Sequence, residues 1–73
     1  MLKIEFSDLE LEKLEQVVYF TELQKKIMRY RRDEIKIVKM ASLECEGQST
    51  ISREIKEIER KIKKAYDKNL INF

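Results

Sequence analysis

From residue 23 to residue 41 the chain reads LQKKIMRYRRDEIKIVKMA, and its apolar positions Leu23, Ile27, Tyr30, Ile37 and Ala41 recur at steps of four, three, seven and four. At 3.6 residues per turn these positions share one face of a helix. Residues 51–68 repeat the signal, because Ile51, Ile55, Ile58, Ile62 and Ala65 step by four, three, four and three. That spacing makes a narrow seam of the kind that closes on a second helix. Between the two stretches, 46–50 hold the only glycine, Gly47, with Ser49 and Thr50 after it, which predicts a turn and a new helix start. Two seams of similar length joined by a short turn predict an antiparallel helical hairpin.

Nearer the N-terminus, Leu2, Ile4 and Phe6 alternate with Lys3 and Glu5, the period-two pattern of a half-buried strand. A lone strand has nothing to pair with. Residues 1–6 are therefore expected either to pair with the same segment of a second subunit or, the favoured reading, to lie on the helices as an extended arm. Ser7 followed by Glu10 has capping-box spacing, so a helix is predicted over 8–19. Leu11, Leu14 and Val18 of that helix fall about 150° or more from the Ile27 face when projected along a continuous rod. Thr21 with Gln24 offers a second capping box where the stripe changes side. An unbroken rod from 8 to 45 using two faces stays open, but a break near 19–22 followed by a long helix over 21–45 is favoured. Glu34 is the misfit of this long helix. It falls inside the apolar stripe, so it must reach a cation such as Arg31 or Lys61, sit at the seam's edge, or fix the register of an oligomer. Residues 69–73, with Leu70, Ile71 and Phe73, are placed as a tail over the open end of the hairpin.

Composition sharpens this to an all-α class, an antiparallel hairpin or small helical bundle forming one domain. The chain has 73 residues, 41% of them charged, no proline and one glycine, which is the make-up of long helices and coiled coils. A domain of this size buries little core by itself, so homo-oligomerisation is expected. The net charge of +2 conceals an uneven distribution: residues 1–24 hold two Lys against six Asp and Glu, and 25–40 hold seven Lys and Arg against two acids. Within that basic middle, Lys25, Arg29, Arg32, Lys36 and Lys39 step by four, three, four and three. On one helix they would form a cationic row about 21 Å long, opposite the apolar stripe.

Chemistry is limited by what is absent. With no His, no Trp, one Cys and no glycine-rich phosphate loop, the usual means of nucleophilic, metal-assisted or nucleotide-dependent catalysis are missing. No enzyme activity, catalytic residue, metal, cofactor or small-molecule substrate is expected. Cys45 lies between Glu44 and Glu46, which favour its thiol over the thiolate, and it reads as a small residue near the turn. No stretch approaches the ~18 apolar residues of a membrane span, and the acidic start of the chain does not resemble a secretory signal. A soluble, cytoplasmic protein is expected.

Residues 2–18, LKIEFSDLELEKLEQVV, resemble the strand and first helix of ribbon-helix-helix repressors, and 47–62 loosely resemble their second helix. About two dozen residues stand here where that family has a short loop, so its strand-in-groove DNA readout is not carried over. Residues 48–55, QSTISREI, resemble the start of a helix-turn-helix recognition helix, but Gly47 lies too close to Ile51 for that turn, and the isoleucines read better as core. Ser52, Glu54 and Ile55 are similar to a motif of small helical-hairpin phosphatases, except that Lys56 stands where an acid should follow.

Two functional expectations remain. The leading one is a regulatory or adaptor protein that binds a protein partner through helical surfaces, with Met28 and Ile35 as an exposed apolar patch beside the basic row. The alternative is a small nucleic-acid-binding regulator that sets Lys25, Arg29, Arg32, Lys36 and Lys39 on phosphates, with Tyr30 as a stacking residue if it is not core. Against both stands the plain reading that a charged row opposite an apolar seam is what any soluble helix shows. A further reading is that Asp8, Glu12 and Glu15, of this or a neighbouring subunit, dock onto the row and consume it.

Overall fold

Ser7 caps the first helix as its spacing with Glu10 requires: the Glu10 N–H donates to Ser7 Oγ at 3.3 Å and the Ser7 N–H to Glu10 Oε1 at 3.0 Å. From there a computed structural model describes residues 6–71. It contains four helices, α1 (Asp8–Val17), α2 (Glu22–Arg32), α3 (Ile37–Glu44) and α4 (Gln48–Asp67), with no strand among the described residues. The result is an all-α small helical bundle. Of the extended arm expected over 1–6, residues 1–5 lie outside the described residues, as do 72 and 73 of the tail.

The break expected near 19–22 is present. Val18 is extended (φ −131°, ψ 131°), and Thr21 starts α2 with the second capping box, in which the Gln24 N–H donates to Thr21 Oγ1 and the Thr21 N–H to Gln24 Oε1, both at 3.1 Å. The stripe changes side because the chain turns there, which lets both segments face one core.

The helix expected over 21–45 requires correction: it is two helices. Glu34 takes φ 60°, the left-handed region that ends a helix. The Ile35 N–H donates back to the Tyr30 carbonyl at 2.8 Å and the Glu34 N–H to the Arg31 carbonyl at 3.0 Å. These two bonds form a Schellman end, which satisfies carbonyls that a terminating helix would otherwise leave open. Glu34 is thus neither a seam residue nor a buried ion. It is the exposed residue on which the rod stops. The final helix begins earlier than expected, at Gln48 rather than residue 51.

α4 is the spine of the bundle. Its Ile51, Ile55, Ile58, Ile62 and Ala65 are all buried, and both α2 and α3 pack against it. Leu11 and Leu14 from α1, Ile27 and Met28 from α2, and Met40 and Ala41 from α3 fill the remaining core, together with Phe6, Phe20 and Ile71. Ile51, Ile55 and Ile58 are core residues, as the departure from a recognition helix implied. Ile71 closes one end while its neighbour Leu70 stays half exposed. No helix among the described residues is long and apolar enough to cross a membrane.

Candidate functional site

The five cations read as one row are divided between two helices. Lys25, Arg29 and Arg32 are on α2, whereas Lys36 sits at the N-cap of α3 and Lys39 lies within it. Their common face required a continuous rod, and the turn at Glu34 removes it. The arginines are also occupied. Arg29 Nη1 lies 3.0 Å from Glu15 Oε1 and donates to the Lys25 carbonyl at 3.2 Å. Arg32 pairs with Asp8 through Nη1, and its Nε donates to Asp33 Oδ1 at 3.1 Å. Asp33 foremost, with a further contribution from Asp8, pushes the Arg32 guanidinium above its ordinary value, with desolvation opposing. Lys25 has Glu22 at 3.6 Å. Of the readings open at the sequence, the one in which α1 docks its acids onto the row is realised at Asp8 and Glu15. Lys36 and Lys39 remain exposed.

The apolar patch expected at Met28 and Ile35 also requires correction. Met28 is 0% exposed, and Ile35 is half-buried against the core. Because α2 touches α1 through Arg29 and Arg32 and packs on α4, its buried arc is wide and takes in Gln24, Ile27 and Met28. Tyr30 likewise packs on the core. Its hydroxyl donates to Glu44 of α3, and Lys26 Nζ lies 3.3 Å from the same carboxylate.

Gln24 is the polar residue at the centre of the bundle, 3% exposed. Its Nε2 donates to Glu54 Oε1 at 2.9 Å, and its Oε1 accepts from Lys61 Nζ at 2.7 Å. Lys61 Nζ also donates to the Tyr19 carbonyl at 3.0 Å and lies 5.5 Å from the ring centroids of both Tyr19 and Phe20. One lysine of α4 thereby holds both the start of α2 and the loop before it, by hydrogen bonds and cation–π contact.

That loop forms one wall of an open groove of about 300 Å³ facing the C-terminal half of α4. Its apolar lining is Val17, Val18, Tyr19, Ala65 and Leu70. Its polar lining among the described residues is cationic, Arg60, Lys61, Lys64 and Lys68. Three of the six large apolar side chains left exposed on the described surface belong to it: Val17 at 43%, Tyr19 at 78% and Leu70 at 49%. Sequence reasoning missed this site. The signal was the four-residue apolar run Val17-Val18-Tyr19-Phe20, which is longer than one helix face needs. Only Phe20 of the four is fully buried.

No group of three acidic or cysteine residues able to hold a metal occurs among the described residues. Cys45 is exposed where α3 ends, in the left-handed region at φ 56°. The fold and the groove define the class as a small helical bundle with an amphipathic recess. Comparison of the chain with protein-family models, curated proteins and solved structures gives no match in any of the three.

Proposed function

We propose that this chain is a small non-enzymatic adaptor or regulatory protein that works by helix-mediated binding to another protein, with the groove between the α1–α2 loop and α4 as its contact surface. The observation that carries this is the clustering of Val17, Tyr19 and Leu70, exposed in one recess and rimmed by cations. Exposed apolar side chains gathered in one place mark interaction sites far more often than the same side chains scattered singly. The nucleic-acid alternative loses its main support, since Arg29 and Arg32 are paired with Glu15 and Asp8. Self-association remains part of the proposal, on the ground of size alone.

Quantitative capture from a lysate with wild-type chain, Leu70→Asp and Val38→Asp tests the assignment. Val38 is as exposed as the groove residues but lies on α3, outside the groove. Loss of a captured protein with Leu70→Asp and its retention with Val38→Asp is the expected result. Identical capture by all three, or retention of generic nucleic acid that falls steeply with salt, overturns it.

A further inference from the structure

We infer that the occupant of the groove is an acidic, amphipathic segment of a partner protein, which seats apolar side chains on Val17, Tyr19 and Leu70 and sets carboxylates on Lys64 and Lys68. This rests on the protein-binding function above and names the chemistry of the partner.

Charge segregation is the first ground. The chain carries 16 basic and 14 acidic side chains, yet no acid among the described residues lines this groove. Arg29 is matched by Glu15, Arg32 by Asp8, Lys26 by Glu44, and Arg60 on the rim itself by Glu57, while Lys36, Lys39, Lys56 and Lys63 are exposed but stand beside no apolar recess. Lys61 is turned inward to Gln24 and the Tyr19 carbonyl. Lys64 and Lys68 are exposed and have no ion pair among the described residues. They are also one helical turn apart, about 6 Å along the axis. Acids four apart on a partner helix match that interval, as do acids two apart on an extended strand.

Shape and lining select among anionic partners. A phosphate backbone would satisfy the lysines, but Val17, Val18, Ala65 and Leu70 are aliphatic, and the one ring among the described lining residues, Tyr19, already has Lys61 Nζ 5.5 Å from its centroid, so successive bases find no stacking platform. A lipid surface takes apolar side chains that protrude, whereas these line a recess. A peptide carrying Leu or Phe between its acids covers the apolar walls and pairs both lysines at once, which is the helix-in-groove or strand mode of peptide recognition.

The probe is a synthetic helical peptide of about 15 residues with Leu at positions i, i+3, i+4 and i+7 and Glu on the flanks, compared with the same peptide bearing Lys for Glu. Fluorescence anisotropy is read for wild-type chain, Lys64→Glu/Lys68→Glu, the milder Lys64→Gln/Lys68→Gln, and Lys56→Glu/Lys63→Glu. The last pair makes the same charge change at exposed α4 positions outside the groove. Wild-type chain is expected to prefer the acidic peptide. Both Lys64/Lys68 variants should weaken it about tenfold or more, the Lys56/Lys63 control should retain most of the affinity, and Lys64→Glu/Lys68→Glu should shift preference to the basic peptide. Unchanged melting temperatures show that the variants fold.

Equal binding of both peptides, equal loss with the Lys56/Lys63 control, or tighter binding of single-stranded RNA or anionic vesicles through the same two lysines overturns the inference. So does a dimer in sedimentation that Leu70→Asp dissociates, because the occupant is then a second copy. If the acidic peptide fails while Leu70→Asp still abolishes capture of a cellular protein, the chemistry assigned to the partner is wrong and the protein-binding function stands. If capture is also unchanged, both fall.

Discussion

Glu34, Cys45 and Asn69 each lie in the left-handed region, at φ 60°, 56° and 57°, and none is glycine. A side chain there costs about 1–2 kcal/mol, less for Asn. In a broken chain, Glu34→Gly is therefore expected to stabilise by about 1 kcal/mol, raising the melting temperature by several degrees, whereas Glu34→Ala changes little. A continuous helix over 21–45 demands the reverse order, with Ala raising the transition and Gly lowering it, so a calorimetric comparison of the two variants decides. Glu44 gives a pH-dependent counterpart. The Tyr30 hydroxyl foremost, helped by Lys26, holds its carboxyl below the usual carboxylate range, while burial pushes the other way. A depressed folded value means a stabilisation that is present above the unfolded value of 4.5 and lost as pH falls through the folded one. The urea midpoint of wild-type chain is expected to exceed that of Glu44→Gln at neutral pH, with the gap closing in acid. Hydrogen bonding to Glu44, then burial, raises the Tyr30 hydroxyl above its ordinary value. Its share of the stability holds below 10.0 and fades as alkali titrates it in the folded state.

At the level of elements, the two capping boxes looked alike in sequence and differ in the fold. Ser7 and Glu10 close an exposed box, while Gln24 is buried and also bridges to Glu54 and Lys61 of α4. Ser7→Ala is expected to cost about 1 kcal/mol. Gln24→Ala should cost more, about 1–3 kcal/mol, because it leaves the Thr21 N–H without its acceptor in a part-buried setting and takes from Lys61 one of its two acceptors, the Tyr19 carbonyl remaining. Denaturant titration of the two variants against wild type checks the ranking. Equal costs would mean that the tie from α2 to α4 contributes nothing. The starts of α1 and α2 could be read because a cap is local: hydroxyl, side-chain carbonyl or carboxylate and backbone N–H lie within three residues of each other. The stop at Glu34 could not be read from glycine or proline, since neither is present. The one trace it left was a carboxylate inside an apolar stripe, followed by Ile35 as the apolar residue beyond the stop.

Across the whole molecule, one core holds the four helices together, and α4 contributes more buried positions to it than any other helix. The Cα radius of gyration is 11.9 Å, close to the roughly 11 Å expected for a folded domain of this length. At about 0.05–0.15 kcal/mol per residue, its total stability is on the order of 4–11 kcal/mol. Ile58, 0% exposed at mid-helix, is thus a large share of the whole. Ile58→Ala is expected to cost about 2–5 kcal/mol and lower the melting temperature by at least about 10 °C. A loss of only a degree or two by circular dichroism would show that α4 is not the spine. By contrast, the Arg29–Glu15 pair is partly exposed, at 42% and 21% of the two side chains, and should be worth no more than about 1 kcal/mol.

Periodicity and caps, both local, determined the all-α class, the isoleucine seam of α4 and the starts of α1 and α2, which open on capping boxes; they also placed a turn ahead of α4, but its left-handed residue is Cys45, and Gly47, at φ −72°, is the N-cap in place of Ser49 or Thr50. What only tertiary structure decided is which faces meet. Glu15 reaches Arg29 across 14 positions of the chain and Asp8 reaches Arg32 across 24, and no local rule records such pairings. An apolar stripe likewise shows that one side of a helix is covered but not how wide the cover is. Neighbouring helices on two sides of α2 drew Met28 inside and left Val17, Tyr19 and Leu70 exposed in the groove.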